Sequence, residues 1–158
     1  MAVLERAGER LALMQRTRSV AIVGMSANTS RASHFVATYL AGKTDWTVYY
    51  VNPRQTEVLG QPVYAALADL PEAPDLVDVF RRTDDLPSVT REAIDAGARS
   101  IWFQLGLVHD EAATTAATAG LDVVQDRCLK IEHARFAGGL HCAGFVTGVI
   151  DNRRAPLI

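Results

Sequence analysis

The sequence predicts an α/β fold, a single domain built on a doubly wound parallel sheet with flanking helices. Three observations predict it. Short, continuous, β-branched apolar runs recur along the chain, as strands buried on both faces require. Segments of helix length separate most of these runs, so that neighbouring pairs read as βαβ units. Glycine or an Asn-Pro pair closes most segments. A chain of 158 residues, 49% hydrophobic and 22% charged, is about one domain long and has ordinary globular composition.

In order, residues 3–15 form an amphipathic stretch that predicts a helix packed at the sheet edge. Ser19–Val23 (SVAIV) reads as a buried parallel strand. A turn-like stretch, 24–30, leads to a helix over 32–41 with Phe35, Val36, Tyr39 and Leu40 on one face, ended by Gly42. Thr47–Val51 (TVYYV) is the second strand, broken by Asn52-Pro53. Residues 55–70 are less regular: a turn at Leu59-Gly60, an extended piece at 62–64 and a short helix over 64–69. A strand follows at 76–80. The helix over 84–96 places Leu86, Val89, Ala93 and Ile94 inward, has Pro87 in its first turn and stops at Gly97. A strand at 100–104, an alanine-rich helix at 110–119 stopped by Gly120, and a strand at 121–125 complete the series. Residues 1–136 are expected to form the domain. Residues 137–158 form a tail, glycine-rich and then basic at Asn152-Arg153-Arg154; covering the sheet edge, meeting a partner and moving freely are all open to it.

The formal net charge of −2 argues against a general nucleic-acid or membrane-surface binder, so an anionic ligand needs local positive charge. Two cysteines, Cys128 and Cys142, form no disulfide framework and fit a reducing cytosol. The N-terminal stretch carries Glu5, Arg6, Glu9, Arg10 and Arg16, unlike a signal peptide. No apolar run approaches the roughly 20 residues of a membrane span. A soluble, cytoplasmic protein is expected.

In doubly wound sheets ligands bind beyond the carboxyl ends of the strands. The segments that follow the strands, around Gly24, Asn52, Phe80, Gln104 and Asp126, should therefore converge on one crevice. Gly24 permits a tight turn and close approach, and the helix behind it offers free N–H groups and a positive dipole end for a phosphate. Ser26, Ser30 and Ser33 add hydroxyls and Arg31 a charge; helix capping is the competing role for Ser30 and Ser33. After the second strand the chain reads Asn52-Pro53-Arg54. That position usually carries an acidic residue in NAD-binding folds, and the GxGxxG spacing is missing as well. An arginine there suits a phosphate, on NADP or on coenzyme A, unless it is simply solvated. Phe80 offers a stacking face and Arg81 and Arg82 offer charge, the competing roles being core packing and solvation.

The runs SVAIVGMS, YVNPRQTEVLGQPVY, DLVDVFRR, WFQLG and DRCLKIEH together resemble the small bacterial CoA-binding proteins. These are similar to the CoA-binding domain of the succinyl-CoA synthetase alpha subunit. The resemblance covers about residues 20–136 and implies a Rossmann-like domain with coenzyme A across the strand ends. It implies that Gly24, Ser26, Arg31 and Ser33 line the phosphate loop. Asn52, Pro53 and Arg54 would flank the adenosine end, and Phe80, Arg81, Gln104, Leu105 and Gly106 would complete the crevice. The loop GMSANTSRAS departs from the family in lacking the proline that often follows the first serine pair. The chain stops near where the synthetase's phosphohistidine domain would begin, so synthetase activity is not expected.

No nucleophile-elbow pattern or other catalytic constellation is present in the sequence. His34, His109, His133 and His141 are read as structural or solvated. Cys128, His133, His141 and Cys142 lack a zinc-site spacing. Cys128 is read as a buried apolar residue, with a thiol facing the crevice as the second reading. The expectation is a protein that binds coenzyme A or an acyl-CoA without catalysis, as carrier, sensor or regulator, either monomeric or homodimeric, with the tail as the surface for any protein partner. A small NADP-dependent oxidoreductase and an interaction module with a vestigial crevice are the alternatives.

Overall fold

The computed structural model describes residues 2–137. Helix α1 (Ala7–Arg16) precedes strand β1 (Ser19–Val23), helix α2 (Ala32–Lys43) and strand β2 (Thr47–Val51). A hairpin of β3 (Glu57–Val58) and β4 (Gln61–Tyr64) follows. Then come β5 (Leu76–Val79), α3 (Leu86–Asp95), β6 (Ser100–Phe103), α4 (Asp110–Thr118), β7 (Asp122–Val124) and α5 (Leu129–Ala137). The sheet order is β3-β4-β2-β1-β5-β6-β7. Every pairing is parallel except that of β3 with β4. Without the short antiparallel β3, the order is that of the doubly wound dinucleotide-binding sheet, and it reverses between β1 and β5.

The alternation of side chains along each strand builds two cores. Ala21, Val23, Val77 and Val79 face α3 and α4, where Leu86, Val89, Ala93, Ala112, Ala113 and Ala116 close the layer. Val20, Ile22, Leu76 and Trp102 face the other way, onto Leu13 and Met14 of α1, Val36 and Leu40 of α2, and Leu129 of α5. All five residues of β1 are buried, as expected for the central strand of a sheet covered on both faces.

Four sequence-level expectations are corrected. Helix α2 buries Ser33, Val36, Ala37 and Leu40; Phe35 lies outward and is 57% exposed. Gly42 does not end α2, which runs through it to Lys43, where Thr44 closes the last turn by donating its backbone N–H to Leu40. After β2 the expected turn at Leu59-Gly60 is present, with positive φ of 52° and 72°, the signature of a tight two-residue hairpin turn, but the helix expected over 64–69 is only a single 3₁₀ turn at Leu67–Asp69. At the N-terminus the helix is shorter, and the residues before it cover the sheet edge. Val3 pairs in parallel with Val123, and Leu4 donates to the Val123 carbonyl at 2.7 Å. That contact protects β7 from edge pairing.

Helix α5 has no counterpart in the sequence reading. Its inward face includes Glu132, which disguises the apolar period. Glu132 and Arg10 of α1 are both nearly fully buried and lie 3.4 Å apart, with Arg127 at 4.0 Å from the same carboxylate. The ion pair fastens α5 to α1 over the sheet. On that same face Asp78 of β5 lies fully buried between Ile22 and Trp102 of the adjacent strands. The expectations for the rest of the tail, including His141 and Cys142, lie outside the described residues.

Candidate functional site

The strand order brings the five predicted loops to one end of the sheet. At its centre Gly24 has φ +88°, a conformation that favours glycine. Its N–H donates to Val51 of β2 at 2.9 Å, while Phe80 after β5 donates to Val23 at 2.8 Å. Gly24 is thus held between the ends of both neighbours of β1, at the point where strand order reverses. A Cβ there would run into the Phe80 carbonyl. The absence of a side chain is what lets these two loops meet.

The loop from Gly24 to α2 is fixed by its own polar groups. Ser33, 3% exposed, accepts from the Ser26 backbone N–H at 3.1 Å. The Ser26 hydroxyl accepts from Asn28 N–H, and Asn28 Oδ1 accepts from both the backbone N–H and the hydroxyl of Ser30. Ser30 and Ser33 therefore shape the loop instead of capping α2. Arg31 occupies the cap position without a side-chain cap bond, and no acidic residue lies in the first turn. The positive end of the helix dipole is left uncompensated by protein charge.

Asn52 ties the second loop to the first. Its Nδ2 donates to the Met25 carbonyl at 2.7 Å, and its Oδ1 accepts from the Arg54 N–H at 2.9 Å. The backbone at Arg54 is thereby set by an Asx turn. Gln104, 5% exposed, accepts from the Leu129 N–H at 3.0 Å and so anchors the start of α5. Gly106 has φ +87° and donates to Asp126 at 2.7 Å, closing the loop after β6.

These loops enclose a crevice of about 690 Å³. Of the predicted site residues, Gly24, Ser26, Arg31, Ser33, Asn52, Arg54, Phe80, Arg81 and Gln104 line it, and Pro53 and Gly106 do not. Arg82, weighed beside Arg81, is not in the lining either. Among the described residues, three arginines face this space and no carboxylate does. Arg81 pairs with Asp85 at 3.4 Å, whereas Arg31 and Arg54 have no ion-pair partner among the described residues. The described lining is thus net positive on a chain of net charge −2.

Ala32, Leu107 and Ile131 also line the crevice and were not placed there from the residues alone, and Cys128 lines it as its second reading had it. Cys128 is half-buried, which corrects the reading of it as a fully buried residue. Ile131 follows Cys128 by three positions and shares its helical face, a spacing that carries information only where the segment is helical. Elsewhere, His109 caps α4 by accepting from Ala112. His133 bonds to the Tyr39 hydroxyl at 2.9 Å and lies edge-on to Trp46. Neither faces the crevice.

A family described as a CoA binding domain matches residues 18–134. The uncharacterized protein YneT of Bacillus subtilis is 34% identical over 122 residues, 77% of this chain and 90% of its own length. An ADP-forming acetate–CoA ligase of Archaeoglobus fulgidus is 25% identical over 128 residues, and the chain spans only 18% of that much longer protein. Among solved structures, a hypothetical protein from Pyrococcus horikoshii superposes with a TM-score of 0.79 at 33% identity, covering 85% of this chain and 94% of the other. No helix of the described residues is long and apolar enough to cross a membrane.

Proposed function

Since this chain belongs to the CoA-binding domain family, we propose that the crevice at the β1–β5 switch point binds coenzyme A, and that the protein acts by holding this ligand, not by transforming it. One observation carries the reading: among the described residues, three arginines and the α2 N-terminus face a 690 Å³ space that no carboxylate lines. A ligand with a 3′-phosphate and a diphosphate supplies the missing anions, and charge-assisted bonds to arginine are the strong kind. Arg31 and Ser26 stand nearest the dipole end and suit the diphosphate. Arg54, held by Asn52, suits the phosphate at the adenosine end. Phe80 offers a ring for stacking.

The NADP-dependent alternative finds less support. Among the described residues the lining includes no histidine, lysine, tyrosine or carboxylic acid, and the loop after β1 lacks the GxGxxG spacing. Carriage, sensing and regulation remain equally compatible with a ligand held in this way, in a cytoplasmic setting.

Calorimetric titration of coenzyme A into the wild-type chain and into Arg54→Glu tests the assignment. Reversing this charge should weaken binding at least tenfold, since it exchanges a charge-assisted contact for repulsion. Equal affinities would remove Arg54 from the site.

A further inference from the structure

The crevice changes character along the sheet. From β2 to β6 its floor passes the ends of β1 and β5, three strand spacings or roughly 14 Å. The cations lie at one end: Arg54 follows β2, Arg31 follows the β1 loop, and Arg81 follows β5. The other end is uncharged. There the lining is Leu105 and Leu107 after β6, with Cys128 and Ile131 at the start of α5. Leu105 is 66% exposed and neighbouring Val108 is 47% exposed. Two large apolar side chains left in water beside a crevice mark a surface that gains by being covered.

We infer that the β6–β7 end is a tail-binding subsite that selects an apolar acyl group, so that the preferred ligand is a short-chain acyl thioester of coenzyme A and not the free thiol. This inference rests on the coenzyme A reading, which fixes the polyanionic head at the β2–β1 end and so directs the thiol end toward β7. Free coenzyme A leaves Leu105 and Ile131 facing water. An apolar acyl chain covers them. An acyl group ending in a carboxylate brings a charge to a wall without a cation, and it must lose solvation with nothing in return.

The test is the affinity of the full chain for free coenzyme A and for its acetyl, butyryl, hexanoyl and succinyl thioesters, by calorimetry. Affinity should climb by roughly fourfold per methylene, the transfer value of one CH₂, through butyryl. Succinyl should bind no better than acetyl. In Leu105→Asp, an exchange at an exposed position that the fold tolerates, the ratio of hexanoyl to free coenzyme A affinity should fall at least fivefold. A flat series from free coenzyme A to hexanoyl, or an unchanged ratio in Leu105→Asp, overturns the subsite while leaving the coenzyme A reading intact. No binding by any member, free coenzyme A included, overturns both.

Discussion

Gly24→Ala should abolish measurable coenzyme A binding and destabilise the chain by roughly 3 kcal/mol, the sum of a strained backbone and an overpacked contact. Two independent costs meet at this residue. Its φ of +88° is a region that a side chain rarely adopts. The added Cβ would also collide with the Phe80 carbonyl, which is backbone in a hydrogen-bonded strand end and has nowhere to go. Relief requires the loops after β1 and β5 to separate, and those loops carry Ser26, Phe80 and Arg81 into the crevice. Denaturant unfolding and calorimetric titration of the same sample read both effects. A variant that loses less than about 1 kcal/mol by linear extrapolation and still binds coenzyme A would show that close approach at Gly24 does not build the site.

Asp78→Val should stabilise the chain at neutral pH by about 1–3 kcal/mol, the cost of burying an unsatisfied polar group. Asp78 is fully buried, and neither carboxyl oxygen has a hydrogen-bond partner among the described residues. Burial raises its pKa well above the ordinary carboxyl value of 3.8. Over the window between that value and the raised one, the folded chain holds a proton that the unfolded chain has released. Stability contributed through this group therefore falls as pH rises across the window, and is greatest below the ordinary value. Asp78→Asn removes the titration and should flatten that part of the stability–pH profile; Asp78→Val removes the polar burial as well. Chemical denaturation of all three chains from mildly acidic to neutral pH measures both. If Asp78→Val loses stability instead, the carboxyl has a bonding partner in solution and serves the β5 strand end.

The strands of the parallel sheet were legible because they are buried on both faces. Continuous runs such as SVAIV carry that signature whatever their partners. The site was legible for a topological reason: residues after successive strands must meet at one end of the sheet. What escaped reading depended on tertiary context. Helix α5 hid because its inward face carries Glu132, whose burial makes sense only beside Arg10, more than a hundred residues earlier. The turn at Leu59-Gly60 and the extended piece after it were legible, but the hairpin they belong to was not, because its first strand, Glu57–Val58, is only two residues long. Ser30 and Ser33 were weighed as helix caps, whereas they organise the loop ahead of α2; cap and loop roles use the same hydroxyl chemistry and differ only in geometry. Ile131 could join the crevice only once α5 was placed beside it.

Thermal unfolding of the purified chain with coenzyme A, dephospho-coenzyme A, NADH and NADPH side by side tests the central assignment most directly. A ligand that binds only the folded state raises the melting temperature with its concentration. Coenzyme A should give a clear rise and dephospho-coenzyme A a smaller one, for want of the 3′-phosphate, and the nicotinamides none, because the loop after β1 lacks the GxGxxG spacing and the segment after β2 reads Asn52-Pro53-Arg54 with no acidic residue for a nicotinamide dinucleotide's ribose. No rise with coenzyme A, or a rise with NADPH alone, would contradict it.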